Sequence, residues 1–203
     1  MAIDLILYAS FYLFGSIPFS VIVGRLFFKT DVRQFGSGNP GATNTMRILG
    51  PKAGIVVLLL DVFKGLFPVI ICKYYCTWPD IPVSDRMVLA GALAILGHVF
   101  SPFLGFKGGK GVATSIGVVM ALEPWFAIAI IATFIIVLAL SRYVSLSSIS
   151  AAFVFTILTL LFRNEDYIKI IFSISITILI VIKHQANILR LLKGKENRFV
   201  FRK

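Results

Sequence analysis

Apolar runs alternate along the whole chain with short polar stretches rich in glycine, asparagine, lysine and arginine. Apolar runs near residues 4–24, 53–72, 86–100, 112–122, 125–141, 146–162 and 167–183 predict seven membrane spans. The fourth is short against the ~20 residues a helix needs to cross ~30 Å of hydrocarbon. Lipid gives the backbone no hydrogen-bond partners, so each run must close its own bonds as a helix. A membrane barrel would instead show short segments alternating at period two. The prediction is an all-α, polytopic membrane helix bundle. No internal repeat or low-complexity linker divides it, so residues 1–203 read as one domain.

Composition agrees. Hydrophobic residues make up 58% of the 203, and the mean hydropathy is +0.94, both far above soluble proteins. Asp4 precedes the first apolar run with no Lys or Arg ahead of it, so the N-terminus reads as a retained span, not a cleaved signal peptide. Cys72 and Cys76 are too few for a disulfide framework, and a bond between them is left open. No Cys/His cluster suggests a metal, and no cofactor is expected.

Charge sets the orientation. With seven spans the termini lie on opposite sides. If the N-terminus is outside, segments 25–52, 98–114, 141–145 and the tail from 183 face inward and hold 15 of the 20 Lys and Arg residues. Short connections rich in Lys and Arg stay cytoplasmic. Asp80, Asp85, Glu123, Glu165 and Asp166 then lie outside, with Tyr74, Tyr75, Trp78, Trp125 and Tyr167 as interfacial anchors. The net charge of +11 is accounted for by topology and attraction to anionic lipid, not by nucleic acid.

Three polar stretches fall on the inner side. The first, FGSGNPGATN over residues 35–44, has the spacing G-x-G-x-x-G. It is not a dinucleotide fingerprint, because a charged juxtamembrane connection precedes it and no acidic residue follows at the right distance. Gly36, Gly38 and Gly41, with Asn39 and Asn44, still allow close backbone approach to an anion, and Arg47 can grip a phosphate bidentately. A plain turn between spans is the bland alternative. The second, FKGGKG over 106–111, sets Lys107 and Lys110 among Gly108, Gly109 and Gly111 just ahead of a helix, whose N-terminus favours an anion. It is not a Walker A loop, since Gly111 follows Lys110. The third, KHQANILRLLKGKEN over 183–197, reads as a helix with His184, Asn187 and Leu191 on one face beside Lys183 and Arg190. A basic exit helix lying on headgroups is its alternative. RYVSLSS over 142–148 adds hydroxyls, or serines that cap a helix.

In order and spacing, GSGNPGATN, GHVFSPFLGFKGGKGVAT, RYVSLSS and KHQANILRLLKGKE resemble the motifs of the bacterial acyl-phosphate:glycerol-3-phosphate acyltransferase family, PlsY. The resemblance runs from about residue 10 to 197. It implies seven helices in the bacterial inner membrane, a site facing the cytoplasm, and acyl transfer from acyl phosphate to the 1-hydroxyl of glycerol 3-phosphate. Lysophosphatidic acid and inorganic phosphate are the implied products, at the first step of phospholipid synthesis. The implied partners are acyl phosphate, glycerol 3-phosphate, the lipid bilayer and an enzyme that produces acyl phosphate.

On this resemblance Ser37, Ser145, His184 and Asn187 orient glycerol 3-phosphate and the reacting carbonyl. Arg47, Lys107, Lys110 and the loop glycines and asparagines bind phosphate. His98, Thr43, Lys183 and Glu196 support them, His98 having the alternative of capping a helix end. The residues carry no His-x4-Asp dyad, since Phe103 and Leu189 stand where the acid would be. An acyl phosphate is already activated, so positioning and charge stabilisation can supply much of the rate. Asp61 and Lys64, three apart within the second span, read as a neutral pair bracing the bundle away from the inner motifs. The competing reading is a transporter of a phosphate-bearing solute, and a lipid-binding scaffold is a second.

Overall fold

A computed structural model describes residues 2–199, and these fall into two compact units, Met1–Leu122 and Glu123–Lys203. Among the described residues the regular structure is helical throughout.

The first unit holds α1 (Ala2–Gly15), α2 (Phe19–Phe28), α3 (Ala42–Leu49), α4 (Pro51–Tyr75), α5 (Val83–Val99) and α6 (Val112–Leu122), with 3-10 turns at Val32–Gln34 and Pro102–Leu104. The expected first span, 4–24, is two helices bent by 50°. Pro18 supplies no N–H and keeps Ile17 out of helical geometry, so the ladder breaks there. Buried side chains satisfy the carbonyls this frees. Ser101 Oγ donates to the Ser16 carbonyl at 2.7 Å, and Lys64 Nζ donates to the Ile17 carbonyl at 2.8 Å.

Close helix crossings run through small residues, as in membrane proteins generally. Gly15 lies against the backbone of Ala94, and Gly97 against Tyr12 and Ser16, which brings α1 onto α5. Gly65 meets Thr114, and Gly117 meets Val62, which brings α6 onto α4. Between these crossings Val57, Val69, Ala90, Ala94, Val99 and Val118 are fully buried. Asp61 and Lys64 pair at 2.8 Å as expected. Their setting differs from the expectation, because His98, from the second glycine stretch, packs against Asp61. Cys72 and Cys76 are free and buried.

The second unit holds α7 (Pro124–Ser141), α8 (Val144–Phe162), α9 (Tyr167–Lys183) and α10 (Gln185–Leu192). The α8–α9 contact is fastened by Thr177 Oγ1 donating to the Ala152 carbonyl at 2.9 Å and by Phe155 and Phe172 meeting edge to face. Glu123, just ahead of α7, accepts from Arg163 at 2.8 and 3.0 Å and from Lys169 at 2.9 Å. Burial pushes the Glu123 carboxyl up, but the hydrogen bonds from Arg163 and Lys169 outweigh it and leave it below the ordinary glutamate value. The third polar stretch is not one helix. The chain turns by 61° between α9 and α10, and His184 sits at the turn.

Segments Pro51–Tyr75, Val83–Leu104, Pro124–Ser141 and Val144–Phe162 are long and apolar enough to cross a membrane. Each bent pair counted as one span raises the number to six, and α6 is a shorter apolar helix of 11 residues. Only 17% of the apolar window of α7 is buried within the protein. An apolar surface of that extent belongs in lipid.

Candidate active site

The first glycine stretch is shaped from both ends. Asp31 caps the 3-10 turn by accepting from Arg33 N at 3.1 Å, and it pairs with Arg33 and Arg25 at 2.6 and 2.8 Å. The Arg33 hydrogen bonds hold the Asp31 carboxyl well below the usual carboxylate range, against the opposing effect of its burial. Gly36 and Gly38 follow at φ of +63° and +68°. L side chains rarely tolerate that region, so these turns need glycine.

From α3, the buried Asn44 side chain reaches back into the loop. Its Oδ1 accepts from Ser37 N at 2.9 Å, and its Nδ2 donates to the carbonyls of Val32 and Phe35 at 2.8 and 3.2 Å. Asn44 therefore moulds the loop from beneath, with its amide turned inward, whereas Ser37 and Arg47 are exposed. Gly41 precedes α3 in an extended conformation with no side-chain cap. Thr43 lies in the first turn of α3.

The second stretch turns back on the end of α5. Gly108 N donates to the Val99 carbonyl and Gly109 N to the His98 carbonyl, each at 3.1 Å. The glycine N–H groups expected to cradle phosphate are thus engaged with their own chain. Lys107 is exposed and Lys110 half-buried, and α6 starts directly after Gly111, whose φ is +83°. Gly108 and Gly109 thus close the loop onto the end of α5, and Lys107 and Lys110 flank them.

The two glycine stretches meet. A Cβ on Gly109 would lie 3.1 Å from the Pro40 carbonyl oxygen and would collide with His98 Nε2. A larger residue at position 109 would have to displace the His98 ring and press on Pro40. His98 itself is 7% exposed, with Nδ1 at 3.7 Å from Asp61 Oδ1.

In the second unit a single carboxylate collects the polar residues. Glu196 Oε1 accepts from Ser145 Oγ at 3.0 Å and from Asn187 Nδ2 at 2.6 Å, while Oε2 accepts from Arg190 Nε at 2.7 Å. Burial alone would raise the Glu196 carboxyl, but the hydrogen bonds from Asn187, Arg190 and Ser145 bring it below the ordinary value. His184 is buried, with Nδ1 at 2.8 Å from the Ile180 carbonyl, and half-buried Lys183 closes α9 beside it. The serines after Arg142 do not cap α8, since Ser147 and Ser148 donate to carbonyls one turn back.

This combination of polar loops on an apolar helical protein has close relatives. A family profile described as glycerol-3-phosphate acyltransferase matches residues 5–194. The chain belongs to the glycerol-3-phosphate acyltransferase family. Among its relatives, the Staphylococcus carnosus glycerol-3-phosphate acyltransferase is 47% identical over 188 residues, covering 91% of this chain and 92% of that one. The Fusobacterium nucleatum protein of the same description is 44% identical over 190 residues, covering 94% and 95%. Two crystal structures of PlsY (YgiH), an integral membrane glycerol 3-phosphate acyltransferase, share the fold. The glycerol 3-phosphate form matches with a TM-score of 0.87 and 39% identity, covering 97% of this chain and 96% of that one. The lysophosphatidic acid form matches with a TM-score of 0.84 and 38% identity, covering 97% and 95%.

Membership places this chain among integral membrane proteins. Glu196, expected as a supporting residue, accepts from three partners, whereas motif reading did not point to Asp61. Asp61, separated from the family motifs in sequence, touches one of them through His98. An ionisable residue within a span was the available signal.

Proposed function

We propose that this protein is a membrane acyltransferase that moves a fatty acyl group from acyl phosphate to the 1-hydroxyl of glycerol 3-phosphate. The hydroxyl oxygen bonds to the acyl carbonyl carbon, and the bond from that carbon to the phosphate oxygen breaks. Inorganic phosphate leaves, carrying the hydroxyl proton, and lysophosphatidic acid remains. A mixed anhydride brings its own leaving group, so the protein has to position two phosphorylated reactants and stabilise developing charge.

One observation carries the reading: two glycine stretches distant in sequence meet at Pro40 and Gly109, with Arg47, Lys107 and Lys110 on the same loops and helix ends. Two phosphate-bearing substrates call for such paired basic loops. Family membership supports glycerol 3-phosphate as acceptor. The role of Ser37, Ser145, His184 and Asn187 in orienting acceptor and carbonyl rests on the motifs that contain them. The proton passes to the substrate's own phosphate, in keeping with the lack of a His-x4-Asp dyad.

In the same reading residues 1–203 are one acyltransferase domain of seven spans, α6 being the short one, with the N-terminus outside and the basic loops in the cytoplasm. The distribution of Lys and Arg supports that orientation, and the family profile's run across both units supports the single domain. The broken first span and the buried Asp61–Lys64 pair are features that transporters share. Here Lys64 is engaged by Asp61 and the Ile17 carbonyl, so that pair serves the helix break.

The test is phosphate release from palmitoyl phosphate by the purified protein. Release that requires glycerol 3-phosphate is expected. Release without the acceptor, or equal use of acyl-CoA, overturns the reading.

A further inference from the structure

Asp61 and Lys64 are each 2% exposed, within a helix long enough to span the bilayer. A buried ion pair costs desolvation, and replacing one by apolar residues is often harmless to stability. Lys64 has a structural reason to be present, because it satisfies the Ile17 carbonyl at the α1–α2 break. Asp61 neutralises Lys64, and its surroundings give it a second task.

The same Oδ1 that meets Lys64 lies 3.7 Å from His98 Nδ1. That distance is beyond a hydrogen bond but within reach of a charge in a water-poor interior. It favours a proton on Nδ1 and sets the ring with that edge toward Asp61. The opposite edge, Nε2, lies against Gly109. The His98 carbonyl also accepts the Gly109 N–H. His98 therefore holds Gly109 from two sides, by its ring and by its backbone. Gly109 in turn abuts Pro40 of the other glycine stretch. A continuous series of contacts runs from Lys64 through Asp61 and His98 to the point where the two loops meet.

We infer that Asp61 is a positioning residue for acyl transfer, acting through the His98 ring on the junction of the two glycine loops. This rests on the acyltransferase reading above. Asp61 touches no substrate. Its carboxylate fixes the ring, the ring fixes Gly109, and the loop that carries Lys107 and Lys110 keeps its place beside Pro40.

The test uses the full chain in detergent micelles with palmitoyl phosphate and glycerol 3-phosphate. Asp61→Asn is expected to lower kcat/KM by about 100-fold, the scale of a small misplacement of reacting groups. His98→Asn should do the same, and the double variant should be no worse than either single one, as for residues acting in series. Asp61→Asn/Lys64→Gln, which removes both charges and keeps a donor for the Ile17 carbonyl, should fold and show the same kinetic defect.

Hydrogen exchange gives a readout independent of turnover. The Gly108 and Gly109 amides should exchange faster in Asp61→Asn, while the Ser37 amide, held by Asn44, should not. Wild-type kinetics in both Asp61 variants, multiplying defects in the double variant, or unchanged exchange at Gly108 and Gly109 overturns the inference. Failure of the wild-type protein to turn over palmitoyl phosphate overturns the acyltransferase reading instead, and the exchange experiment still decides whether Asp61 holds the loop.

Discussion

Gly109 lies against Pro40 so closely that a Cβ at 109 would stand 3.1 Å from the Pro40 carbonyl oxygen, with His98 Nε2 closing the other side. The Cβ of an alanine would collide with the His98 ring and press on the Pro40 carbonyl, so Gly109→Ala should displace His98 or the loop and reduce kcat/KM by about 100-fold. Gly105→Ala is the control, because Gly105 has a φ of +59° but nothing within 4 Å of a Cβ. There the cost is about 1–2 kcal/mol of left-handed backbone strain, and turnover should persist. Steady-state phosphate release and thermal unfolding of the two variants check both halves of the prediction.

Asn44 gives a second test. Its amide serves Ser37 N, the Val32 carbonyl and the Phe35 carbonyl at once. Asn44→Ala strands those groups and should cost about 3 kcal/mol, on the scale of buried polar groups left unsatisfied. Asn44→Asp keeps the acceptor for Ser37 N but turns a buried carboxylate oxygen onto the Val32 and Phe35 carbonyls, so wild type should be the most stable, then Ala, then Asp. Thermal unfolding should rank the three proteins in that order. The KM for one phosphate substrate should rise along the same series.

What could be read from the sequence follows from the range of each interaction. Lipid makes helix the only economical state for a long apolar run, so the all-helical membrane fold and most helix positions were legible. The glycine stretches were legible too, because polar loops of that composition stand out between such runs. The break at Ser16–Pro18 was obscured by apolar residues on both sides, and nothing local shows that Lys64 and Ser101 would satisfy the freed carbonyls. The turn at His184 was hidden in the same way, since residues 183–192 keep a helical pattern across it. Which way Asn44, Gly108 and Gly109 direct their polar groups depends on neighbours remote in the chain. The contact between Asp61 and His98 depends on how α4 and α5 pack.

Glu196 makes the stability of the protein depend on pH. Its folded pKa is below the ordinary value, because hydrogen bonds from Asn187, Arg190 and Ser145 outweigh burial. A carboxyl lowered in the folded state contributes stability that is present above its unfolded pKa and is lost as pH falls through the folded one. Wild type should therefore be more stable than Glu196→Gln at neutral pH. The difference should shrink below about pH 4.3, the ordinary glutamate value. Thermal midpoints of both proteins across that range make the measurement. A gap that stays constant into acid would mean that the carboxylate charge is not what holds Ser145, Asn187 and Arg190.

The sharpest prediction concerns Lys64, because stability and function should separate there. Lys64→Met removes the donor to the Ile17 carbonyl and leaves Asp61 buried without its ammonium partner. Breaking one half of a buried pair typically costs about 3–5 kcal/mol, so this variant should unfold at a much lower temperature. Asp61→Leu/Lys64→Met removes the stranded carboxylate as well, and apolar replacement of a whole pair is often neutral or stabilising. Part of the thermal stability should return, the remaining deficit being the unsatisfied carbonyl at the α1–α2 break. Turnover should not return with it, since His98 would then face leucine and lose the charge that orients its ring. Recovery of both together would reduce the pair to a brace for the helix break. Recovery of stability alone separates the part played by Lys64, which joins α4 to the break, from that of Asp61, which acts on the loop.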